Sequence, residues 1–272
     1  MVVDKTLEFF HSVNTTSAAP IAMRLFELSQ YLDEYLRIGE IPDYPNALNG
    51  LQVETDSAIR RIAVSVDASE QAIIEAVRNN CDLLIAHHGL FWGGLQPITG
   101  RFHRKLNACI SGKLAIYGCH IPLDLHPEVG NSAVLSRAIG CEPVGVWGDY
   151  RGLKIGVWGE LKLTREALAA RLDETLGGPV RMIAGGKERI SRVGVITGAA
   201  ANYIGEAIAL GLDAFVTGEG AHHTYFDAME GGLNVYYGGH YRTETWGVRA
   251  LAEHLEKKFG LPWQFLDLPT GL

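Results

Sequence analysis

Two stretches of this chain repeat each other. Laid together without gaps, RIAVSVDASEQAIIEAVRNNCDLLIAHHG (61–89) and RVGVITGAAANYIGEAIALGLDAFVTGEG (192–220) share Arg61/Arg192, Val64/Val195, Ala68/Ala199, Ile73/Ile204, Glu75/Glu206, Ala76/Ala207, Asp82/Asp213 and Gly89/Gly220. Each reads as strand, helix, strand: a short apolar run, an apolar pattern at helical spacing, and a second apolar run. The likeness resumes one residue out of step, with LAIYGCHIPLD (114–124) against LNVYYGGHYRTE (233–244). Each copy ends on a histidine followed four residues later by a carboxylate, His120/Asp124 and His240/Glu244. Apolar periodicity alone gives part of the match between any two β-α-β units, but it does not supply that terminal pair. The repeat predicts an α/β protein of two similar lobes. Their strand ends would face one central crevice, where open α/β sheets bind ligands.

Around the repeat, Leu25, Leu28, Leu32 and Leu36 predict a helix over 21–38, followed by a loop, PDYPNALNG (42–50). Strands are expected at 61–66, 82–86, 114–117 and 153–161, with helices at 68–79 and 102–112. Thr164 is placed to cap a helix running to Leu176. A last helix is expected from Trp246 to Phe259, with His240 and Glu244 in the loop that leads into it. The 272 residues then divide into a lead-in at 1–20, a first lobe at 21–150 and a second at 151–272, packed as one unit.

Charge and cysteine usage narrow the function classes. A formal charge of −7 and a pI near 5.8 argue against nonspecific binding to nucleic acid or anionic membrane, which needs a basic surface. Cys81, Cys109, Cys119 and Cys141 form no C-x-x-C pair, so a disulfide framework or zinc ribbon is not expected and a reducing compartment, the cytoplasm, is. No apolar run reaches the ~20 residues of a membrane span, and the first residues do not read as a signal peptide. Walker, dinucleotide-binding and G-x-S-x-G motifs are absent from the sequence. An anionic substrate would have to meet metals, or side chains such as Arg101, Arg104 and Arg242.

The histidines carry the chemistry. His87, His88, His120, His126, His222, His223 and His240 fall at or just after predicted strands. Imidazole nitrogens and carboxylates converging on one point make a metal site. Adjacent strand residues point to opposite faces, but Gly89 lets the strand end twist, so His87 and His88 could serve two different metals. Asp124 and Glu244 add oxygen ligands, and a carboxylate can bridge cations ~3.5–4 Å apart. Each residue also has a plainer reading. The histidine pair could cap a sheet, Asp124 could make a turn before Pro127, and Glu244 could sit in the first turn of the following helix.

The blocks HHGLFW (87–92), HIPLDLHPEVGN (120–131), TGEGAHH (217–223) and GGHYRTETWGVRAL (238–251), with NGLQVE (49–54) and FLDLP (265–269), resemble the Ngg-interacting-factor-three-like family, also known as the GTP cyclohydrolase type 2-like family. The resemblance runs from about residue 21 to the C-terminus. It implies a two-lobed α/β fold, a dinuclear metal centre and a homohexamer. By the family's pattern, His87 and Asp124 hold one metal, His88 and His240 the other, and Glu244 bridges them. His120, His126 and His223 stand around the site as proton shuttles or orienting groups. Glu219 departs from the Asp that many members carry.

What the resemblance implies is a metal-dependent hydrolase with two divalent ions per chain (zinc, iron, manganese or nickel) acting on a small cyclic amide, purine or pterin-like substrate. Such a pair lowers the pKa of water and polarises a carbonyl or phosphoryl oxygen. The alternative is a non-enzymatic metal-binding or scaffold protein, in which the extra histidines only orient the ligands.

Overall fold

Ile62–Asp67 and Leu83–His88 are apolar and buried along nearly their whole length. That pattern belongs to parallel strands covered on both faces. The computed structural model describes residues 22–272, so the lead-in at 1–20 lies outside the described residues. The elements run α1 (Leu25–Tyr35), β1 (Gly50–Val53), β2 (Ile62–Asp67), α2 (Glu70–Arg78), β3 (Leu83–His88), α3 (Gly100–Gly112), β4 (Ala115–Gly118), α4 (Ile121–Asp124) and α5 (Asn131–Ala138). They continue with β5 (Pro143–Tyr150), β6 (Leu153–Thr164), α6 (Arg165–Leu176), β7 (Arg181–Ala184), β8 (Arg189–Val195), α7 (Ile204–Ala209), β9 (Ala214–Thr217), α8 (Thr224–Gly231), β10 (Asn234–Tyr237), α9 (His240–Phe259) and β11 (Trp263–Phe265).

Two mixed sheets result, in the orders β1-β4-β3-β2-β11 and β5-β6-β8-β9-β10-β7. In the first, β2, β3 and β4 are parallel and β1 lies antiparallel on β4. In the second, β8, β9 and β10 are parallel and β7 lies antiparallel on β10. Strand order and sense thus recur over four strands, three of which in each sheet come from the repeated sequence. The shared aspartates show why the repeat is local as well as global. Asp82 accepts the backbone amides of Arg60 and Arg61 at 2.7 and 3.2 Å, and Asp213 accepts those of Ser191 and Arg192 at 2.9 and 3.2 Å. Each carboxylate satisfies amides at the start of one strand from the head of the next, which fixes the register of the pair.

The sheets exchange chain ends across residue 150. β5, before that point, pairs with β6 in the second sheet, and β11, from the C-terminus, pairs in parallel with β2 in the first. α9 likewise packs on the first sheet: Val248, Leu251, Ala252 and Leu255 share a core with Leu28 and Leu32 of α1 and with Ile62, Val64 and Ile85. Other cores lie under α2 and α3, under α5 and α6, and under α7 and α8.

Thr164 caps α6 as its spacing suggests, accepting the Ala167 amide at 3.1 Å. α9 differs from expectation. It begins at His240, not Trp246, so His240 and Glu244 lie on its first turns and not in a loop. The residue before it is Gly239, at φ 93 and without a capping side chain, so the usual N-terminal signal is missing. The backbone turns sharply there, and Thr243 closes the first turn by bonding the His240 carbonyl at 3.0 Å.

Candidate metal centre

Each of the five side chains is delivered by a strand end or the helical turn that follows one. His87 and His88 finish β3, Asp124 ends α4 just beyond β4, and His240 and Glu244 open α9 just beyond β10. Because α9 is helical from His240, that residue and Glu244 stand one above the other on a single face. The Glu244 carboxylate, only 3% exposed, lies between the imidazoles. Its Oε1 is 3.6 Å from His87 Nε2, and its Oε2 is 3.5 Å from His88 Nε2 and 3.1 Å from His240 Nε2. Asp124 Oδ1 is 3.5 Å from His87 Nε2. Three overlapping groups occur among the described residues, His87–Asp124–Glu244, His88–His240–Glu244 and His87–His88–His120, each with donor atoms within 4.8 Å of one another.

The far side of every ring is held. His87 Nδ1 meets the Cys119 carbonyl at 3.0 Å, His88 Nδ1 meets Asp67 Oδ1 at 3.0 Å, and His240 Nδ1 meets Glu219 Oε1 at 2.8 Å. All three partners are acceptors, so Nδ1 donates, and in a neutral ring Nε2 is left with its lone pair toward Glu244. His87 Nε2 and Glu244 Oε2 are buried with no hydrogen-bond partner among the described residues. Buried polar atoms are rarely left so. Their convergence on one point fits divalent cations, which take lone pairs and need no hydrogen-bond geometry.

The electrostatics agree. Burial disfavours charge on His87, but Asp124 and Glu244 outweigh it and push the imidazole up to about 10. Glu244 raises His240 to about 9 against its partial burial, with help from Glu219. Burial would raise the Glu244 carboxyl, yet His87 and His240 hold it well below the usual range. The cluster therefore demands positive charge at its centre, from protons or from metal ions.

Further contacts fix the carboxylates. Asn131, fully buried, donates to Asp124 Oδ1 at 2.9 Å, and Thr197 approaches the same oxygen at 3.4 Å. Gly198 sits at φ +69, and a Cβ there would overlap Glu244 Oε1.

A family model described as Duf34/NIF3 (NGG1p interacting factor 3) matches residues 23–270. The chain belongs to the Duf34/NIF3 family. It is 48% identical over 248 residues to a Deinococcus radiodurans protein named GTP cyclohydrolase 1 type 2 homolog, covering 90% of this chain and 94% of that one. A relative of the same name from Archaeoglobus fulgidus is 40% identical, covering 92% and 100%. Among solved structures, protein ybgI, described as of unknown function, superposes with a TM-score of 0.86 at 36% identity, covering 92% of this chain and 100% of that one. TTHA1606 from Thermus thermophilus gives 0.83 at 43% identity with the same coverage.

In this Duf34/NIF3 chain His88, Asp124, His240 and Glu244 line a cavity of about 490 Å³, walled by Tyr44, Trp92, Tyr150 and Tyr203, while His87 is fully buried. His120 lines it too, with Nδ1 bonded to Asp43 at 2.9 Å and its ring 5.0 Å from that of His87. The other two histidines expected near the centre stand apart. His126 accepts the Glu128 and Val129 amides at 3.2 Å each and packs on Tyr35, a position that serves its loop and not the cavity. His223 is exposed and lines a separate hollow beside Glu219. Of the three arginines considered for anions, Arg104 is paired with Glu70 at 2.7 Å and Arg242 with the Pro179 carbonyl at 3.0 Å, while Arg101 lines a neighbouring cavity.

Asp67, Asp43, Asn131 and the aromatic wall are not among the residues expected from sequence. Asp67 was open to discovery, since it ends the apolar run IAVSV at the carboxyl end of a strand. Asp43 and Tyr44 lie in a stretch whose proline, asparagine and glycine mark only a turn.

Proposed function

We propose that this protein is a hydrolase that works with two divalent cations on a small planar ring, a cyclic amide, purine or pterin-like compound. The observation that carries the reading is the Glu244 carboxylate, which offers one oxygen to His87 and the other to His88 and His240 beside an aromatic-walled cavity. His87, Asp124 and Glu244 Oε1 would hold one cation, and His88, His240 and Glu244 Oε2 the other. Two cations bound there would polarise a carbonyl or phosphoryl oxygen and lower the pKa of a water.

The chain's own groups supply the rest. Tyr44 and Trp92, with ring centroids 6.2 Å apart, offer faces on which a flat heterocycle can stack. His120, with Asp43 holding Nδ1, keeps Nε2 free to take or return a proton. Asp67, Glu219 and the Cys119 carbonyl fix the ring orientations and their tautomers. Imidazole with carboxylate suits zinc, iron, manganese or nickel. We place the protein in the cytoplasm, on its four buried free cysteines, and infer a homohexamer from the family resemblance.

Elemental analysis of gently purified protein tests the centre, with two metals per chain expected. A panel of nucleotides, pterins, cyclic amides and phosphoesters, run with that metal restored, tests the activity. Two retained metals without turnover would favour the non-enzymatic metal-binding protein. Light scattering tests assembly, with six times 29.7 kDa expected and one or two chains counting against it.

A further inference from the structure

A second cavity, also about 490 Å³, adjoins the first and shares Asp67, His88 and Trp92 with it. Its floor is apolar, built from Leu90, Phe102, Leu266 and Leu268. One wall is α3, which presents Arg101 and Lys105 to the cavity. These two cations are four residues apart on the helix, a spacing at which like charges repel. The nearby acids are already engaged: Glu70 accepts two bonds from Arg104 at 2.7 and 3.0 Å, and Asp67 is bound to His88. Lys105 donates to the Ala68 carbonyl at 2.8 Å. Burial first, and Arg101 second, hold its ammonium below the ordinary value despite Asp67 and Glu70. Among the described residues no ion pair involves Arg101 or Lys105.

A cation pair without a direct ion-pair partner, set over an apolar floor with Asp67 and Glu70 already bonded elsewhere, is a poor way to stabilise a surface and a good way to hold an amphipathic anion. A guanidinium fork beside a point-charge ammonium matches a phosphate dianion. The cavity volume suits a small organic molecule.

We propose that this cavity binds the phosphate group of a small organic phosphate, with Arg101 and Lys105 as the phosphate contacts and Phe102, Leu266 and Leu268 against the organic body. The shared wall at Asp67 and His88 lets such a molecule extend to the candidate metal centre. That extension rests on the hydrolase reading above; the phosphate site does not.

The test uses protein stripped of metal by chelation, so that phosphate cannot bind through cations and failure of the metal reading leaves the result intact. Phenyl phosphate and inorganic phosphate are titrated by calorimetry. Phenyl phosphate should bind, more tightly than inorganic phosphate. Arg101→Ala, at an exposed position, and Lys105→Gln should each weaken it by about tenfold or more, while Arg242→Ala, at a cation bonded to the Pro179 carbonyl away from this cavity, should not. Absence of phenyl phosphate binding at millimolar concentration, or equal binding by both cation variants and wild type, would overturn the proposal. Guanosine monophosphate then separates two sources of the phosphate. Tighter binding than phenyl phosphate marks a single molecule spanning both cavities, because linkage makes the second contact intramolecular. Equal binding marks a separate phosphorylated effector.

Discussion

Asn131 secures Asp124: its amide nitrogen donates to Asp124 Oδ1 at 2.9 Å, while its own oxygen accepts the Gly247 amide of α9 at 2.6 Å. The side chain is fully buried and ties the carboxylate after β4 to the helix after β10. Asn131→Ala should cost about 1–3 kcal/mol, because it removes two hydrogen bonds at a buried position and takes the amide donor from Asp124 Oδ1. On the two-cation reading it should also loosen the cation proposed at His87 and Asp124 more than the other. Urea denaturation with elemental analysis reads both effects, and unchanged stability with full metal retention would count against this role.

Among the described residues, Glu244 is the one carboxylate that reaches both groups of imidazoles. Glu244→Gln keeps the size of the side chain but removes the charge that would offset the two proposed dications, so on that reading both metals should be lost or one weakly retained. His88→Ala should empty mainly one position. Neither change touches the strand cores, so both variants should stay folded by circular dichroism. Two metals per chain in Glu244→Gln would show that another carboxylate makes the bridge, with Glu219 the first to examine.

Gly198 offers a sharper steric test. Its carbonyl accepts the Gly218 and Glu219 amides at 2.9 and 3.1 Å, and its φ of +69 suits glycine. Gly198→Ala would strain the backbone and drive a methyl group into Glu244 Oε1. Metal content should fall as far as in Glu244→Gln, with some loss of stability as well. Full metal retention in Gly198→Ala would mean that Glu244 is not held where its contacts suggest.

The parallel strands and their helices were legible in the sequence because buried β-α-β units carry long apolar runs that no turn chemistry interrupts. The candidate ligands were legible because they follow those runs directly. What stayed hidden depends on contacts between distant segments. Asp43 is recognisable only once the loop before β1 lies against His120, and Tyr44 only once it faces Trp92. The start of α9 was hidden for a local reason, a glycine in place of a capping side chain. The exchange of β5 and β11 between sheets leaves no periodic trace, since edge pairing is settled by tertiary packing.

Protons and metal ions compete for the same nitrogens, which fixes the pH behaviour. In chelator-treated protein His87 is held up to about 10 and His240 to about 9, both above the ~6.5 of an unfolded chain. Their stabilising contribution is complete below ~6.5 and is lost as pH rises through the folded values. Glu244, depressed, contributes above ~4.5 and loses its effect as pH falls through its lowered folded value. The melting temperature of the stripped protein should therefore fall between about pH 7 and pH 10. Metal uptake should release protons, visible as calorimetric heats that change with buffer ionisation enthalpy. A flat melting profile together with buffer-independent heats would contradict this account.

The exchange of chain ends also bears on how the molecule is assembled in time. β2 gains its outer neighbour β11 only once synthesis has passed Phe265, and α9, which covers the same sheet, arrives just before it. His87 and Glu244 come from distant parts of the sequence, so closing the loop between them must be offset by packing that is already in place. The centre is thus among the last features to form during synthesis. A chain halted before α9 would present bare apolar strands to chaperones, and it would lack the groups that capture metal. Metal held at this site would mark a chain that has been synthesised through α9 and folded.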